Sequence, residues 1–403
     1  MPPRPFLHPF APPTREAYLN IVRGRRSTVW DDSGNAYIDG MASLWYANVG
    51  HGHPTVVGAI ADQAARLAAY HCYAPFTNPP ADALAEAIAA RSPVSSPRVF
   101  FASSGSEAVD AAIKIARIAH EQAGEGHRDV IISQEAGYHG VTMGGTSAQG
   151  IAANQVGFGP LVPDVRQVGQ QDLAAFEAIF AAEPDRIAAV LIEPVQCAGG
   201  VFPPKPGFLK ALRELCDAHG AFLIFDEVVT GFGRLGSWFA SEHFGVLPDL
   251  TTFAKAVTSG YVPLGGVVCG PAVRERLEAD PTWLFRHGHT YSGHPLACAA
   301  GLACIEVTED EGLLERASAV GAQLGDGLGA LVSAGKLRDA RGEGAVWAAV
   351  LPEGKQAPAV RDELLRLGVI VRPINDVLAI CPPLVIEDHE VQRMLTALER
   401  ALG

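Results

Sequence analysis

The chain has 403 residues, of which 48% are hydrophobic and 19% charged, a composition typical of globular proteins and not of disordered ones. Lysine and arginine number 31 against 44 aspartates and glutamates, and the net charge of −13 disfavours nucleic acids and anionic membranes as partners. Seven scattered cysteines without a CxxC pair indicate reduced thiols in a cytoplasmic protein. The length predicts one large domain or two joined domains.

The N-terminal segment contains six prolines within residues 1–13 and no apolar run. We therefore predict an extended arm and no signal peptide. Stretches without charge, such as 41–61 and 141–163, are interrupted by Gly, Pro, Asn and Gln, so we predict no membrane span.

From about residue 80, helical and strand patterns alternate along the chain. Apolar periodicity predicts helices over 81–91, 107–122 and 208–219, the last ended by Gly220. Short apolar runs predict strands over 98–102, 129–133, 188–192 and 222–225. This alternation predicts an α/β fold with a mostly parallel sheet buried on both faces, whose ligands lie at the carboxyl ends of the strands.

After about residue 300 the pattern becomes that of a smaller α+β unit. A helical pattern covers 302–330, a second helix is predicted over 387–402, and short strands are predicted over 345–351, 369–371 and 377–380. We therefore predict three parts: an N-terminal arm and segment that joins the small domain (1–50), a large cofactor-binding domain (51–298) and a C-terminal small domain (299–403).

Two segments place reactive side chains next to apolar strands. Asp226 and Glu227 directly follow the strand over 222–225, where a parallel sheet presents residues to ligands, although a solvated turn fits the same residues. Lys255 lies among small and apolar residues, and burial would favour the neutral amine that attacks a carbonyl. Taken alone, a lysine whose ammonium reaches the surface fits Lys255 better than a buried nucleophile does.

The segment Ser103–Ala108 connects a predicted strand to a predicted helix. Backbone N–H groups at that helix start, together with small hydroxyls, suit a phosphate group. An ordinary serine cap with Glu107 in the first turn is the alternative. A phosphate cradle, an acid for a ring nitrogen and an amine for an aldehyde together describe a site for pyridoxal 5′-phosphate (PLP).

The sequence resembles the class III (ω-type) aminotransferases, PLP enzymes of fold type I, over nearly its whole length. The matching motifs are LWYANVGHG at 44–52, SSGSEA at 103–108, YHG at 138–140, IEPVQ at 192–196, FDEVVTGFGR at 225–234, FAK at 253–255, GYVPLG at 260–265 and HTYSGHP at 289–295. The resemblance is closest to the amine:pyruvate and β-alanine:pyruvate subgroup. It implies a large domain with a mostly parallel sheet and a small α+β domain.

The resemblance implies the chemistry of four residues. Lys255 would form the imine link to PLP and later move the proton released from the substrate Cα. Asp226 would keep the pyridine nitrogen protonated, so that the ring accepts charge from the carbanion. Gly105 and Ser106 would bind the phosphate.

Further residues are implied to surround the cofactor. Tyr138 would stack on one ring face, Val228 would pack against the other, and His139 and Glu193 would support the ring and the site. Thr290 would reach the phosphate of a neighbouring subunit, so the resemblance implies a homodimer with shared active sites, or a tetramer built from it.

The implied substrate-binding residues are Trp45, Tyr46, Tyr73, Phe76 and Arg372. In the subgroup the matching arginine clamps the substrate carboxylate and swings away for apolar amines, and a guanidinium offers a carboxylate two parallel hydrogen bonds. A surface arginine after a strand is the alternative for Arg372. Plain core packing is the alternative for Tyr73 and Phe76.

The reaction implied is a ping-pong transfer of an amino group from a primary amine or ω-amino acid to pyruvate or a similar keto acid. Aminotransferases that use S-adenosylmethionine, γ-aminobutyrate or diamines, and aminomutases and decarboxylases of the same fold, remain alternatives. Two departures from the family pattern, Ser103 in place of a common Asn and Cys197 in place of a common Gly, leave the local loop geometry open.

Two motifs suggest other chemistry. GFGRLG at 231–236 fits the dinucleotide-binding pattern of a nicotinamide oxidoreductase, but no long helix follows it, so a glycine turn is the preferred interpretation. His51 and His53 lie close in sequence, but two histidines without a third ligand give a weak metal signal. We predict no metal site.

Overall fold

The computed structural model describes residues 5–403, so the first four residues of the predicted arm lie outside the described part. The strands are β1 Ile21–Arg25, β2 Thr28–Asp31, β3 Ala36–Asp39, β4 Arg98–Ala102, β5 Val130–Gln134, β6 Val165–Val168, β7 Ile187–Ile192, β8 Phe222–Asp226, β9 Leu250–Phe253, β10 Gly265–Cys269, β11 Asp339–Glu343, β12 Val346–Val350, β13 Val369–Ile370, β14 Arg372–Ile374 and β15 Val377–Ile380. The helices are α1 Ala42–Trp45, which is distorted, α2 Pro54–Leu67, α3 Pro79–Arg91, α4 Gly105–Gln122, α5 Met143–Ala148, α6 Leu173–Ala182, α7 Phe208–His219, α8 Ala240–Phe244, α9 Pro271–Glu278, α10 Pro295–Asp310, α11 Leu313–Ser333, α12 Ala357–Arg366 and α13 Asp388–Leu402. Short 3₁₀ turns span Ala152–Asn154 and Lys255–Val257.

The largest sheet has the strand order β4-β10-β9-β8-β7-β5-β6, and β10 alone runs antiparallel to its neighbours. Alternate residues of its strands point to opposite faces. On one face Ile131 and Ile224 pack with α4, and on the other Val130 and Leu223 pack with α6 and α7. The predicted α/β fold with a mostly parallel, doubly covered sheet is confirmed.

Most elements of this region lie where the apolar patterns predict them. The helix over 208–219 and the strand over 98–102 have the predicted bounds, and the other predicted strands before residue 230 differ by one residue at an end. Gly220 has a φ of 67°, in the left-handed region that glycine adopts without strain, and it ends α7 as predicted.

The single helix expected over 302–330 is wrong. Two helices, α10 and α11, meet at Gly312, whose φ of 62° interrupts the helical backbone. β11 and β14 were not predicted, because the first is a largely charged, partly exposed strand and the second contains Pro373. The short strands β1 to β3 also lie in a segment for which the sequence predicted no strands.

Two four-stranded sheets complete the fold, with the orders β1-β2-β3-β13 and β11-β12-β15-β14. β3 pairs in parallel with β13, so the N-terminal strands join the C-terminal part of the chain. The predicted boundary after residue 298 lies inside α10, and the division into domains stays a prediction. Across residues 5–403, no helix combines the length and apolar content needed to cross a bilayer.

The GFGRLG motif forms a tight turn, with a φ of 100° at Gly233. Arg234 within it is fully buried and donates hydrogen bonds to the carbonyl oxygens of Ala345 (3.2 Å) and Pro382 (2.7 Å). The motif is followed by α8, a helix of five residues. The turn therefore fastens the large sheet region to the C-terminal part of the chain, in agreement with the preferred interpretation.

Candidate active site

Polar side chains converge at the carboxyl edge of the large sheet. Asp226 is the last residue of β8, Lys255 follows β9 by two residues, and Glu193 follows β7 directly. His139 lies in the loop after β5, and the start of α4 follows β4. Because these strands run in parallel, their ends meet at one edge, where the fold class was predicted to bind ligands.

Asp226 is almost completely buried, and three groups of the chain contact its carboxylate. Its Oδ1 accepts hydrogen bonds from the Thr252 hydroxyl at 3.1 Å and from the Val228 N–H at 3.2 Å. Its Oδ2 lies 2.8 Å from Nδ1 of His139. A carboxylate offers about four lone-pair positions, so the chain leaves one position for a further donor.

His139 is buried, and its second ring nitrogen, Nε2, has no hydrogen-bond partner within residues 5–403. When Nδ1 carries the proton that faces Asp226, Nε2 is a bare acceptor.

Glu193 connects two loops around the site. Its Oε1 accepts the Tyr138 N–H at 2.8 Å, and its Oε2 accepts the Cys197 N–H at 3.1 Å. Burial raises the pKa of Glu193 to about 7, despite these two donors. The loop that contains Cys197 is thus held through a backbone N–H, which any residue except proline supplies at that position.

Lys255 is partly accessible, and its amine has no hydrogen-bond or ion-pair partner among the described residues. Desolvation by the surrounding protein lowers the pKa of this amine, although Asp226, Glu193 and Cys197 act in the opposite direction. Its φ of 50° lies in the left-handed region that is strained for a residue with a side chain. Burial therefore shifts the pKa of this amine in the direction that favours its neutral form.

The start of α4 packs against the loop after Asp226. A Cβ on Gly105 would lie only 2.9 Å from Cγ1 of Val228, so a glycine is needed for this close approach. The Ser106 hydroxyl accepts the Val141 N–H at 3.0 Å and connects α4 to the loop that carries Tyr138 and His139. The predicted serine cap is also present, since Ser104 Oγ accepts the Glu107 N–H at 3.2 Å; the cap and an anion site at this helix start are compatible.

Arg372, at the start of β14, is partly buried and forms no hydrogen bond or ion pair with any described residue. Burial lowers the pKa of its guanidinium, and the nearby Tyr138 phenol partly opposes this effect. The guanidinium also lowers the pKa of Lys255, so the two cations lie in one electrostatic neighbourhood. Arg372 therefore lies in the electrostatic neighbourhood of Lys255 and has no counter-ion among the described residues.

Trp45 and Tyr46 are placed differently from each other. Trp45 is 3% exposed and packs in a core cluster with Val195 and Cys197. Tyr46 lines a separate cavity of about 470 Å³ that Lys255, Asp226 and Arg372 do not line.

Three further predicted residues lie at the surface of the chain. Tyr73 and Phe76 are 53% and 46% exposed, which contradicts core packing as their alternative role. Thr290 is also exposed and follows a segment, Leu284–His289, that lines an 800 Å³ groove together with Tyr73. The single chain does not bring these residues to Lys255.

Thr252 is a site residue that the sequence analysis missed. It contacts Asp226 directly, but a threonine in an apolar strand is common and gives no functional signal. Its position three residues before Lys255, on the strand next to the one that ends in Asp226, could have indicated it. His51 and His53, considered as metal ligands, each contact a different carboxylate, Asp39 at 2.8 Å and Glu311 at 2.9 Å.

Comparisons with known proteins agree with this geometry. The family model described as Aminotransferase class-III matches residues 10–402. An omega-aminotransferase from Caulobacter vibrioides is 37% identical, with 99% of this chain and 97% of the relative covered. A beta-alanine–pyruvate aminotransferase from Pseudomonas aeruginosa is 35% identical, covering 95% and 91%. The solved structure of an amine transaminase from an uncultivated Pseudomonas species, in PLP-bound form, superposes with a TM-score of 0.95 at 36% identity, covering 99% and 98%.

Proposed function

This chain belongs to the class III aminotransferases and is a PLP-dependent ω-transaminase, and we propose that it transfers the amino group of a primary amine or ω-amino acid to pyruvate or a similar keto acid. Its substrates as a transaminase are a small-molecule amine and a keto acid. The choice of pyruvate is supported by the relative named beta-alanine–pyruvate aminotransferase. The observation that carries the proposal is the convergence of Lys255 and the donor-bound Asp226 at one sheet edge, with the guanidinium of Arg372 close enough to lower the pKa of Lys255.

The residues present fit PLP. Asp226 has one acceptor position left for a ring N–H, the amine of Lys255 has no partner among the described residues, and α4 begins with a glycine that lets Val228 approach the helix start closely. Bound PLP supplies an aldehyde that condenses with amines and a ring that accepts the electron pair released at the substrate Cα. We propose that Lys255 holds the aldehyde carbon, Asp226 the ring nitrogen, and Gly105 and Ser106 the phosphate.

Four further residues would surround the PLP ring if it is held in this way. Tyr138 and Val228 would cover its two faces, since Glu193 orients the backbone at Tyr138 and Val228 packs against the start of α4. His139 would orient Asp226, and Glu193 would keep the two loops closed over the site.

The proton transfer would be performed by Lys255. Because desolvation lowers the pKa of this amine, more of it is neutral at a given pH and able to accept the proton from the substrate Cα. The Nζ of Lys255 would move this proton in both half-reactions. The reaction would be ping-pong because the product of the amine leaves before the keto acid binds. Arg372 would bind the carboxylate of the acid substrate through two parallel hydrogen bonds.

We also propose a cytoplasmic homodimer with shared active sites, or a tetramer built from it. Thr290, Tyr73 and Phe76 are exposed on one chain, although the family resemblance assigns them to the site, and a partner subunit would resolve this difference. The cytoplasmic location is supported by seven cysteines that are all unpaired. The parallel pairing of β3 with β13 supports the division into parts 1–50, 51–298 and 299–403.

The proposal is tested by the absorbance spectrum of the purified protein before and after addition of an amine without any keto acid. We expect a yellow band that is bleached by β-alanine or 1-phenylethylamine and restored by pyruvate. Bleaching only by S-adenosylmethionine, γ-aminobutyrate or a diamine would assign the alternative substrate classes. A product formed without any keto acid would indicate mutase or decarboxylase chemistry, and a protein that binds no PLP would overturn the proposal.

A further inference from the structure

We propose that Thr252 is a positioning residue for the cofactor and that it acts through Asp226. The inference rests on the proposed function, because it concerns the contact between Asp226 and the ring nitrogen of PLP. Thr252 is fully buried, and its hydroxyl donates to Asp226 Oδ1 at 3.1 Å.

The strand register creates this contact. Asp226 on β8 and Thr252 on β9 are paired residues of the parallel ladder, and the Glu227 N–H donates to the Thr252 carbonyl at 3.0 Å. Paired residues on neighbouring strands point to the same face of a sheet, so the two side chains meet without a long flexible reach. The β-branched side chain of Thr252 has few rotamers, which limits the positions of its hydroxyl.

The geometry assigns the hydroxyl a use beyond packing. With Val228 and Thr252 donating to Oδ1 and His139 facing Oδ2, the carboxylate plane is defined by contacts on both oxygens. Removing the Thr252 donor frees a lone pair on Oδ1 and leaves this oxygen held by the Val228 N–H alone, so the carboxylate can turn over a wider range about its Cβ–Cγ bond. The remaining acceptor position then no longer points in one direction, and only a ligand with a ring N–H would sense the loss.

The strand that contains Thr252 also leads directly to the lysine. Lys255 follows Thr252 by three residues, so the hydrogen bond fixes the carboxylate of β8 relative to the amine that follows β9. PLP would be held at both points simultaneously, so a displaced carboxylate would weaken its binding even with Lys255 intact.

The test compares the dissociation constants of PLP and of its 1-deaza analogue, in which carbon replaces the ring nitrogen, for the full-length chain stripped of cofactor. Thr252→Val keeps the shape of the side chain and removes the donor, and Thr252→Ser restores a hydroxyl. We expect Thr252→Val to weaken PLP binding about tenfold, the effect of a hydrogen bond to a charged group, and the analogue by less than about threefold. Thr252→Ser should stay within about threefold of the parent for both ligands.

Thr251→Val is the matched control, since Thr251 is the preceding residue of the same strand and points to the opposite face of the sheet. It should change neither constant. Equal weakening of both ligands in Thr252→Val, or no weakening of either, would overturn the proposal. If Thr252→Val does not fold, Thr252→Ala removes the same donor and is judged by the same ratio. A parent chain that binds no PLP would instead contradict the proposed function.

Discussion

Asp226 and Arg372 are two charged groups of one candidate site, and they differ in the number of groups of the chain that contact them. Asp226 is contacted on both carboxylate oxygens by three groups from three segments, whereas the guanidinium of Arg372 has no partner among the described residues. A group that always meets the same ring nitrogen gains from a fixed position. A group that must meet both a carboxylate and an apolar amine gains from remaining free to move, and its partial desolvation strengthens its bond to an arriving anion.

The largest expected effect concerns the amine between these two groups. Lys255→Ala removes the amine that is proposed to hold PLP and to move the proton of the substrate Cα, so kcat should fall by about 10³-fold or more. Steady-state turnover of 1-phenylethylamine with pyruvate measures it. Lys210→Ala, at an exposed lysine, is the control. Turnover that survives in Lys255→Ala would contradict the assignment of the lysine.

The role of Asp226, whose carboxylate is held by several contacts, is tested by Asp226→Asn. Asparagine is neutral and places an amide N–H₂ where Thr252 and Val228 donate, or where His139 does, so two donors would face each other. We expect kcat to fall by about 10²-fold to 10³-fold. The loss should be the same for every amine donor, because the defect lies at the cofactor. The exposed Asp185→Asn should have no effect, and a loss confined to one donor would argue against the ring contact.

The role of Arg372, whose guanidinium has no partner among the described residues, is tested by Arg372→Leu. Loss of a bidentate pair should lower kcat/KM for β-alanine by about 10-fold to 100-fold, and for 1-phenylethylamine by less than about threefold. Pyruvate also has a carboxylate, so its half-reaction should be slowed as much as that of β-alanine. The two amine donors are therefore compared in single half-reactions without pyruvate. Arg366→Leu, at an exposed arginine, is the control. Equal losses with both amines would show that Arg372 does not discriminate by carboxylate.

The smallest effect concerns Glu227, next to Asp226 but with a different environment. Its carboxyl accepts the N–H groups of Ala240 and Ser241, and burial raises its pKa from 4.5 to about 7. A raised pKa in the folded state gives stability that is complete below about pH 4.5 and is lost as the pH rises through 7. Relative to Glu227→Gln, the cofactor-free parent should therefore lose about 1 to 3 kcal/mol of unfolding free energy from pH 5 to pH 8.

Denaturant unfolding at several pH values measures this difference, with Glu214→Gln at an exposed glutamate as the control. Parallel pH profiles for the parent and Glu227→Gln would show that this carboxyl is already ionised in the folded chain. Glu227 and Asp226 would then differ in their hydrogen-bond contacts and not in a raised pKa of Glu227.

Local sequence patterns were sufficient for the large sheet region. The strand over 222–225 and the helix over 208–219 are continuous apolar or amphipathic segments, and glycines such as Gly220 end them by their backbone conformation. The family motifs also contained Lys255, Asp226, His139 and Glu193, which the fold brings to one edge of the sheet. Charged or proline-containing strands such as β11 and β14 carry no such pattern and were missed.

The sequence by itself determined the fold class, the family and the reactive groups of this protein, because those properties depend on periodicity and on ordered motifs. Only the tertiary structure showed that Thr252 contacts Asp226, that Arg372 has no partner within residues 5–403, and that Tyr73 and Thr290 lie at the surface. Strand register decides the first, and the packing of segments far apart in the chain decides the others. Strand register and long-range packing produce no local sequence pattern, since a side chain's neighbours are set by pairings between residues far apart in the chain.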